Sequence, residues 1–395
     1  MHASLTIAAA IALVWALAYH RTPAYVWTAV IAAAGLALSW WCDAPYALVV
    51  TLWIVFLLGA LALNRTPLRR ALVSAPLLNV FRRLLPTVSQ TEREALEVGT
   101  VWWDCVRVCG RPVWRRLLAF PKPSLSAPER AFLEGPVDAL CEMIDDWRIT
   151  HESYDLPPQA WQFIKDQGFL GMIIPQQYGG LGFSAIAHSA VIMKLATRSS
   201  TASVSVMVPN SLGPAELLLN YGTHAQKEHY LPRLAKGLEM PCFALTSPDA
   251  GSDAGNLPDF GIVCRGDWEG RSGVLGMRVT WEKRYITLGP IATLLGLAFR
   301  LYDPEHLLGA TEDIGITLAL IPTSTPGVNI GRRHLPLNAV FMNGPNWGKD
   351  VFIPMEYIIG GTERIGQGWR MLMECLAAGR SISLPASATG GVKLA

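Results

Sequence analysis

The residues best placed to do chemistry lie in two short stretches in the second half of the chain. The first, Cys242–Asp253, opens as an apolar run through Leu245 and breaks into Thr246, Ser247, Ala250, Gly251 and Ser252. At such a break backbone N–H groups and hydroxyls can close on a bound group, and Gly251 offers backbone geometry that a β-carbon would block. Taken alone, the stretch reads best as a plain turn. The second, Trp281–Leu288, is strand-like, with Tyr285 and Thr287 two apart and therefore on one face. Other candidates are weaker. Gly179, Gly180 and Gly182 make a Gly-rich turn, without the Gly-x-x-x-x-Gly-Lys-Ser/Thr pattern of a phosphate loop. His224 and His229 point away from one another on a helix and form no metal pair. Cys105 and Cys109 are the one close pair among seven cysteines, and no second pair answers them as a zinc site needs. Buried or incidental thiols in a reducing compartment is the stronger reading.

Two kinds of element must hold these stretches. From Ser126 the pattern is helical: Ser126 and Glu129 form a capping box, followed by Phe132, Val137, Leu140, Met143, Ile144 and Trp147 at helical spacing. Further helices are expected from Leu156, over 185–197 and 212–221, and after a Thr223 cap. The run 168–182 ends in a tight structural turn. Beyond Met240 the pattern changes to short runs broken by Gly, Pro and Asp, which favour a small β-barrel or sandwich. That change is the main domain boundary. The segment 366–380 is helical again, with Trp369, Leu372, Met373 and Leu376 on one face.

The amino-terminal 64 residues differ from the rest. Three apolar runs, 3–18, 25–41 and 46–63, are separated by short polar joints, and only Arg21 and Asp43 are charged. Each run is about bilayer length, roughly 17–25 residues. A cleaved signal peptide would need a basic start, and a buried hairpin would need a polar face, so membrane insertion is the reading. Arg65, Arg69, Arg70, Arg82 and Arg83 follow with no acidic residue between them, which marks the cytoplasmic side. The stretch 65–83 reads either as lying on an anionic lipid surface or as a solvated linker helix. Ser89 or Thr91 caps a helix through Glu97. Trp102, Trp103 and Trp114 divide evenly between core packing and an interface belt. At 395 residues the chain holds two or three domains, and a net charge of +2 gives no reason to expect nucleic acid.

The two chemical stretches together resemble the acyl-coenzyme A dehydrogenases. Their Tyr-x-x-Thr-Glu-Pro-x-Ala-Gly-Ser-Asp is matched by Phe243, Thr246, Ser247, Pro248, Ala250, Gly251, Ser252 and Asp253. Their Lys-x-Trp-Ile-Thr-Asn is matched by Lys283, Tyr285, Ile286 and Thr287. The turn 174–180, the run 221–232 and the run 351–360 resemble further family motifs, so the resemblance covers roughly 89–380. The Thr-Glu-Arg-Glu-Ala-Leu and Gly-Thr-Val-Trp-Trp runs are similar to the large membrane-associated bacterial enzyme of fatty-acid β-oxidation. Departures are Phe243 for Tyr, Ser247 for Glu, Asp249 for Gly, Tyr285 for Trp and Leu288 for Asn.

The resemblance implies an α+β fold: transmembrane helices (1–64), a basic and aromatic linker (65–125), an all-α domain (126–240), a small β-barrel domain (241–361) and the start of a carboxy-terminal helical bundle (362–395), largely missing. It implies FAD as cofactor. Thr246 and Thr287 would contact the flavin ring, and Phe243, Leu245 and Tyr285 would pack against it. Gly251 and Ser252 would sit at the pyrophosphate, or Ser252 at the substrate's pantetheine side. No metal is implied. The activity implied is α,β-dehydrogenation of an acyl-CoA, with electrons passed to an electron-transferring flavoprotein at the bacterial inner membrane, the catalytic part facing the cytoplasm. Membrane lipids are implied partners, and pairing into a homodimer is left open. The family's glutamate base falls beyond Ala395; Glu356 occupies a structural position and is not the base. The chain is accordingly expected to be a truncated copy with little turnover and weak FAD retention. The alternative is a non-catalytic, membrane-anchored acyl-CoA or flavin binding module. An acyl-CoA oxidase would differ only in letting oxygen reach the reduced flavin.

Overall fold

A computed structural model describes residues 2–41, 45–98 and 113–395. Cys42, Asp43, Trp102, Trp103, Cys105 and Cys109, with the Gly-Thr-Val-Trp-Trp run, lie outside the described residues. The described chain forms two units, Met1–Val88 and Ser89–Ala395.

The first unit follows its apolar runs. Helices α1 (His2–Tyr19), α2 (Ala24–Trp41) and α3 (Tyr46–Asn64) break at the polar joints. Among the described residues α2 and α3 are long and apolar enough to cross a membrane. Two side-chain hydrogen bonds join them: Asn64 Nδ2 donates to Thr28 Oγ1 at 2.8 Å, and Trp53 Nε1 to Ser39 Oγ at 3.2 Å. In hydrocarbon such bonds satisfy groups that water cannot reach. Two short helical turns, Thr66–Arg69 and Arg70–Ser74, lead to α4 (Ala75–Leu84).

The second unit begins with α5 (Gln90–Val98), then α6 (Ala127–Glu134), α7 (Pro136–Met143) and α8 (Pro158–Asp166). The α6 capping box forms, and Glu129 reaches further, accepting the Ser184 N–H at 2.7 Å. Hydrogen bonds from Ser184 and Ser126 hold this carboxyl down at about 2. Next come α9 (Ala185–Ala196), α10 (Ser200–Ser211), α11 (Ala215–Tyr221) and α12 (His224–Ala235). Helix α10 is a departure from expectation. Its Ser, Thr and Val are poor helix formers, yet nearly every residue is buried. Burial forces its polar side chains back onto the helix: Ser205, Asn210 and Ser211 donate to the carbonyls of Thr201, Val206 and Met207.

From Pro241 the chain is mainly strand: β1 (Pro241–Ala244), β2 (Phe260–Trp268), β3 (Arg271–Thr287), β4 (Leu294–Tyr302), β5 (Asp313–Pro322), β6 (Asn329–Ile330) and β7 (Asn343–Pro354). They form one seven-stranded sheet, β1-β4-β2-β3-β7-β6, with β5 paired to β4. Among the described residues β5 and β6 do not pair with each other, so the strands of the expected barrel or sandwich form one sheet that hydrogen bonds do not close into a ring. Gln226, the capping-box residue of α12, ties helices to strands. Its amide donates to the Ile358 carbonyl at 2.7 Å and accepts the Gly360 N–H at 3.0 Å.

The last helix, α13 (Gly368–Leu394), runs past the point where sequence ended it, through Pro385, Gly390 and Gly391. Packing explains why. A Cβ at Gly379 would stand 2.3 Å from the Ser211 carbonyl oxygen, and one at Gly390 would stand 2.6 Å from Ala196 Cβ. The small residues that weaken a lone helix let this one lie close against α9 and α10. A buried hydrogen bond of 2.8 Å between the Ser211 and Ser383 hydroxyls seals the contact.

Candidate functional site

The site is built where β1 ends beside β3. Strand β1 runs parallel to β4 with Phe243 opposite Gly296, where a Cβ would strike the Phe243 ring at 2.6 Å. That close approach holds Phe243 half-buried, and Leu245 is buried behind it. The chain then turns at Thr246, whose carbonyl accepts the Arg284 N–H at 3.0 Å.

A fully buried ion pair locks this junction. Lys283 Nζ reaches Asp259 Oδ2 at 2.5 Å, the Leu245 carbonyl at 2.9 Å and Ser247 Oγ at 3.0 Å. Ser247 in turn donates to Asp259 Oδ2, and Asp259 Oδ1 accepts the Glu282 N–H at 2.9 Å. The ammonium's three protons are thereby all used. Burial pulls Lys283 below the usual amine range, while the Asp259 carboxylate opposes the fall. Lys283 entered the sequence reading only as a motif position, and Asp259 had no signal there. Ser247 stands where the family motif has Glu, and a carboxylate from twelve residues on fills the gap.

The second stretch is not the straight strand its spacing suggested. A bulge interrupts β3: Lys283 faces Asn346 and Ile286 faces Gly344, so Arg284 and Tyr285 together oppose one residue. Tyr285 takes φ of 61°, the left-handed region, and is 63% exposed with its ring edge-on to His334 at 5.3 Å. Thr287, two residues on, is half-buried. Asn343 spans the bulge, donating to the Tyr285 carbonyl at 3.1 Å and to Thr287 Oγ1 at 3.3 Å. By filling an acceptor position on that hydroxyl, Asn343 leaves its proton for another group. Asn343 Oδ1 and His334 Nε2 are buried with no partner. Neither Asn343 nor His334 was singled out from sequence.

Gly251 and Ser252 lie apart from this junction, on an exposed turn. Gly251 has no left-handed φ, and a Cβ there would meet nothing within 4 Å. The fold itself therefore does not demand glycine, contrary to the expectation, and the space before it is open. Just beyond, Gly255 packs on Thr91 of α5, whose carbonyl accepts the Trp369 indole N–H at 2.9 Å. A cleft of about 340 Å³ opens there, lined by Thr91, Glu94, Asp253, Asn256, Arg300 and Trp369 among others.

The structure thus bonds the Leu245 and Thr246 carbonyls to Lys283 and Arg284, carries Tyr285 and Thr287 onward along β3, places Phe243 on β1, and leaves Gly251 and Ser252 on a separate exposed turn. Cys242 is inert, burial pushing its thiol up to about 12. Glu356 is exposed on a turn away from the junction.

Known proteins resemble different stretches of the chain. Over 98 residues the chain is 61% identical to Protein HemX of Proteus mirabilis, a quarter of this chain and 58% of that protein. Over 281 residues it is 32% identical to the probable acyl-CoA dehydrogenase FadE10 of Mycobacterium tuberculosis, 70% of this chain. It spans only 40% of that relative's length. Among solved structures, an acyl-CoA dehydrogenase complexed with FAD from Bacillus anthracis superposes with a TM-score of 0.57 at 19% identity, over 69% of this chain and 44% of that one. Residues 129–238 match the acyl-CoA dehydrogenase N-terminal domain and residues 242–343 the middle domain. These two ranges carry both the helices behind the junction and the junction itself, and by them the chain belongs to the acyl-CoA dehydrogenase family.

Proposed function

We propose that this chain contributes the flavin seat of an FAD-dependent acyl-CoA dehydrogenase of fatty-acid β-oxidation, held at the bacterial inner membrane with its second unit in the cytoplasm. The observation that carries the reading is the junction locked by Lys283 and Asp259, with the Thr246 carbonyl bonded to Arg284 in the β3 bulge, three residues before Thr287. FAD, when bound, accepts a hydride from the substrate's β-carbon. The chain's part is to bind and orient. Thr246 and Thr287 supply hydroxyls at the ring edge, with Asn343 aiming the Thr287 proton outward. Phe243, Leu245 and Tyr285 give the ring apolar contact. Ser252 and the open space before Gly251 suit the pyrophosphate or the thioester's pantetheine arm. No residue of this chain is assigned as the base that removes the α-proton. The acyl-CoA substrate and an electron-transferring flavoprotein as acceptor follow from the family. The domain scheme read from sequence, with 126–240 helical and 241–361 as the flavin-facing sheet, belongs to the same proposal. The length and apolarity of α2 and α3 support the membrane assignment.

The test is titration of the purified chain with FAD, followed by quenching of flavin fluorescence. Saturable quenching that weakens in a Thr246→Val/Thr287→Val variant is the expected result. An intact fold that leaves flavin fluorescence untouched sinks the reading. Assaying the same preparation with palmitoyl-CoA and an electron acceptor separates a dehydrogenase from a binding module.

A further inference from the structure

The first unit carries a surface that the flavin site does not use. Helix α4 places Leu77, Leu78, Val80, Phe81 and Leu84 on one arc of about 160° and Asn79, Arg82 and Arg83 on the other, at 100° per residue. The apolar arc is bare, Phe81 being 59% and Leu84 74% exposed. Five arginines, Arg65, Arg69, Arg70, Arg82 and Arg83, lie between the end of α3 and the end of α4, and no carboxylate occurs between Asn64 and Glu92. None of the five is in an ion pair among the described residues.

A soluble protein covers such an arc or breaks it with charge. Here its neighbour in sequence is α3, long and apolar enough to cross a bilayer and ending at Asn64, directly before the first arginine. A helix leaving a bilayer and meeting five uncompensated guanidiniums is met by the layer where phosphate headgroups sit. We propose that the segment 65–85 lies flat in an anionic lipid leaflet. The Leu77, Phe81 and Leu84 face enters the acyl boundary, and the arginines pair with headgroup phosphates. The Arg70–Ser74 π-turn joins the two helical pieces, and Pro86 ends the segment by forcing Leu85 into extended backbone. This inference rests on the reading of α2 and α3 as membrane spans; it adds that the lipid is chosen by charge.

The full chain in phosphatidylcholine nanodiscs, with or without phosphatidylglycerol, tests it by hydrogen exchange over 75–85. Exchange is expected to slow markedly more with phosphatidylglycerol, by about fivefold for each arginine engaged. The excess should vanish in high salt and in an Arg69/Arg70/Arg82/Arg83→Gln variant. Phe81→Ser with Leu84→Ser should lose protection in both lipids. Equal exchange in the two lipids, or protection that rises with protein concentration as a second copy would give, overturns the proposal. A chain that never enters the discs overturns the spanning reading instead. In that case flotation of the detergent-free chain with phosphatidylglycerol vesicles, reversed by salt, would still support the surface, and absence of flotation would end both.

Discussion

Helix α3 and strand β4 are built from nearly the same residues and meet opposite fates. Strand β4 has seven of its nine residues buried, packed between β1, β2 and β5. Helix α3 has none buried, with Leu52, Ile54, Val55, Leu57 and Leu58 all more than half exposed. Burying a Leu or Ile side chain is worth roughly 1.5–3 kcal/mol. The second unit collects that free energy internally. In the first unit α3 has no buried residue, which suits the proposed membrane setting. Apolar composition alone does not separate a core from a membrane segment; the presence or absence of a covering layer does.

The sharpest way to break this comparison is to separate the two regions. A chain beginning at Ser89 is expected to leave the membrane fraction, while the full chain stays there until detergent is added. Full-length protein soluble without detergent would collapse the contrast at once. Within the second unit, the largest single effect is expected at the buried ion pair. Lys283→Met strands Asp259 and should cost about 3–5 kcal/mol in denaturant unfolding, whereas Lys283→Met with Asp259→Leu should recover most of it. If the single and double variants unfold together, the pair is not the lock.

A pH titration sharpens the same point. Burial of His188 lowers it to about 4, below the ordinary value near 6.5, so the fold holds the neutral ring. Its contribution is complete above pH 6.5 and is lost as pH falls through 4, up to about 3 kcal/mol. His188→Leu should flatten stability over that window; an unchanged slope would assign the loss elsewhere. The smallest effects belong to the flavin contacts. Thr246→Val and Thr287→Val should each raise the FAD Kd by up to about tenfold, one hydrogen bond's worth, without moving the unfolding midpoint. A midpoint that moves with the affinity would make these threonines part of the scaffold.

Much of the architecture was legible because local signals agreed with their surroundings. The Ser126 and Thr223 caps form as their spacing required, and α1, α2 and α3 begin and end within a residue of the apolar runs. What stayed hidden depended on residues far apart in sequence. Helix α10 violates its own propensities because its neighbours enclose it. Helix α13 continues through glycines because α9 and α10 approach it there. The Tyr285 bulge arises from pairing with β7, which period-two counting cannot register. Asp259 and Asn343 look like ordinary loop and strand residues until the sheet brings them to Lys283 and Thr287.

The bond between the Trp369 indole and the Thr91 carbonyl joins residues 278 apart, on either side of nearly the whole second unit. Ribosomes add about 5–20 residues each second, so α5 emerges tens of seconds before its partner exists. During that interval the turn at Gly255 has neither the indole nor a docked α5 to close it. In a newly made chain this seam therefore stays open to proteases and holding chaperones until Trp369 has been made and docked.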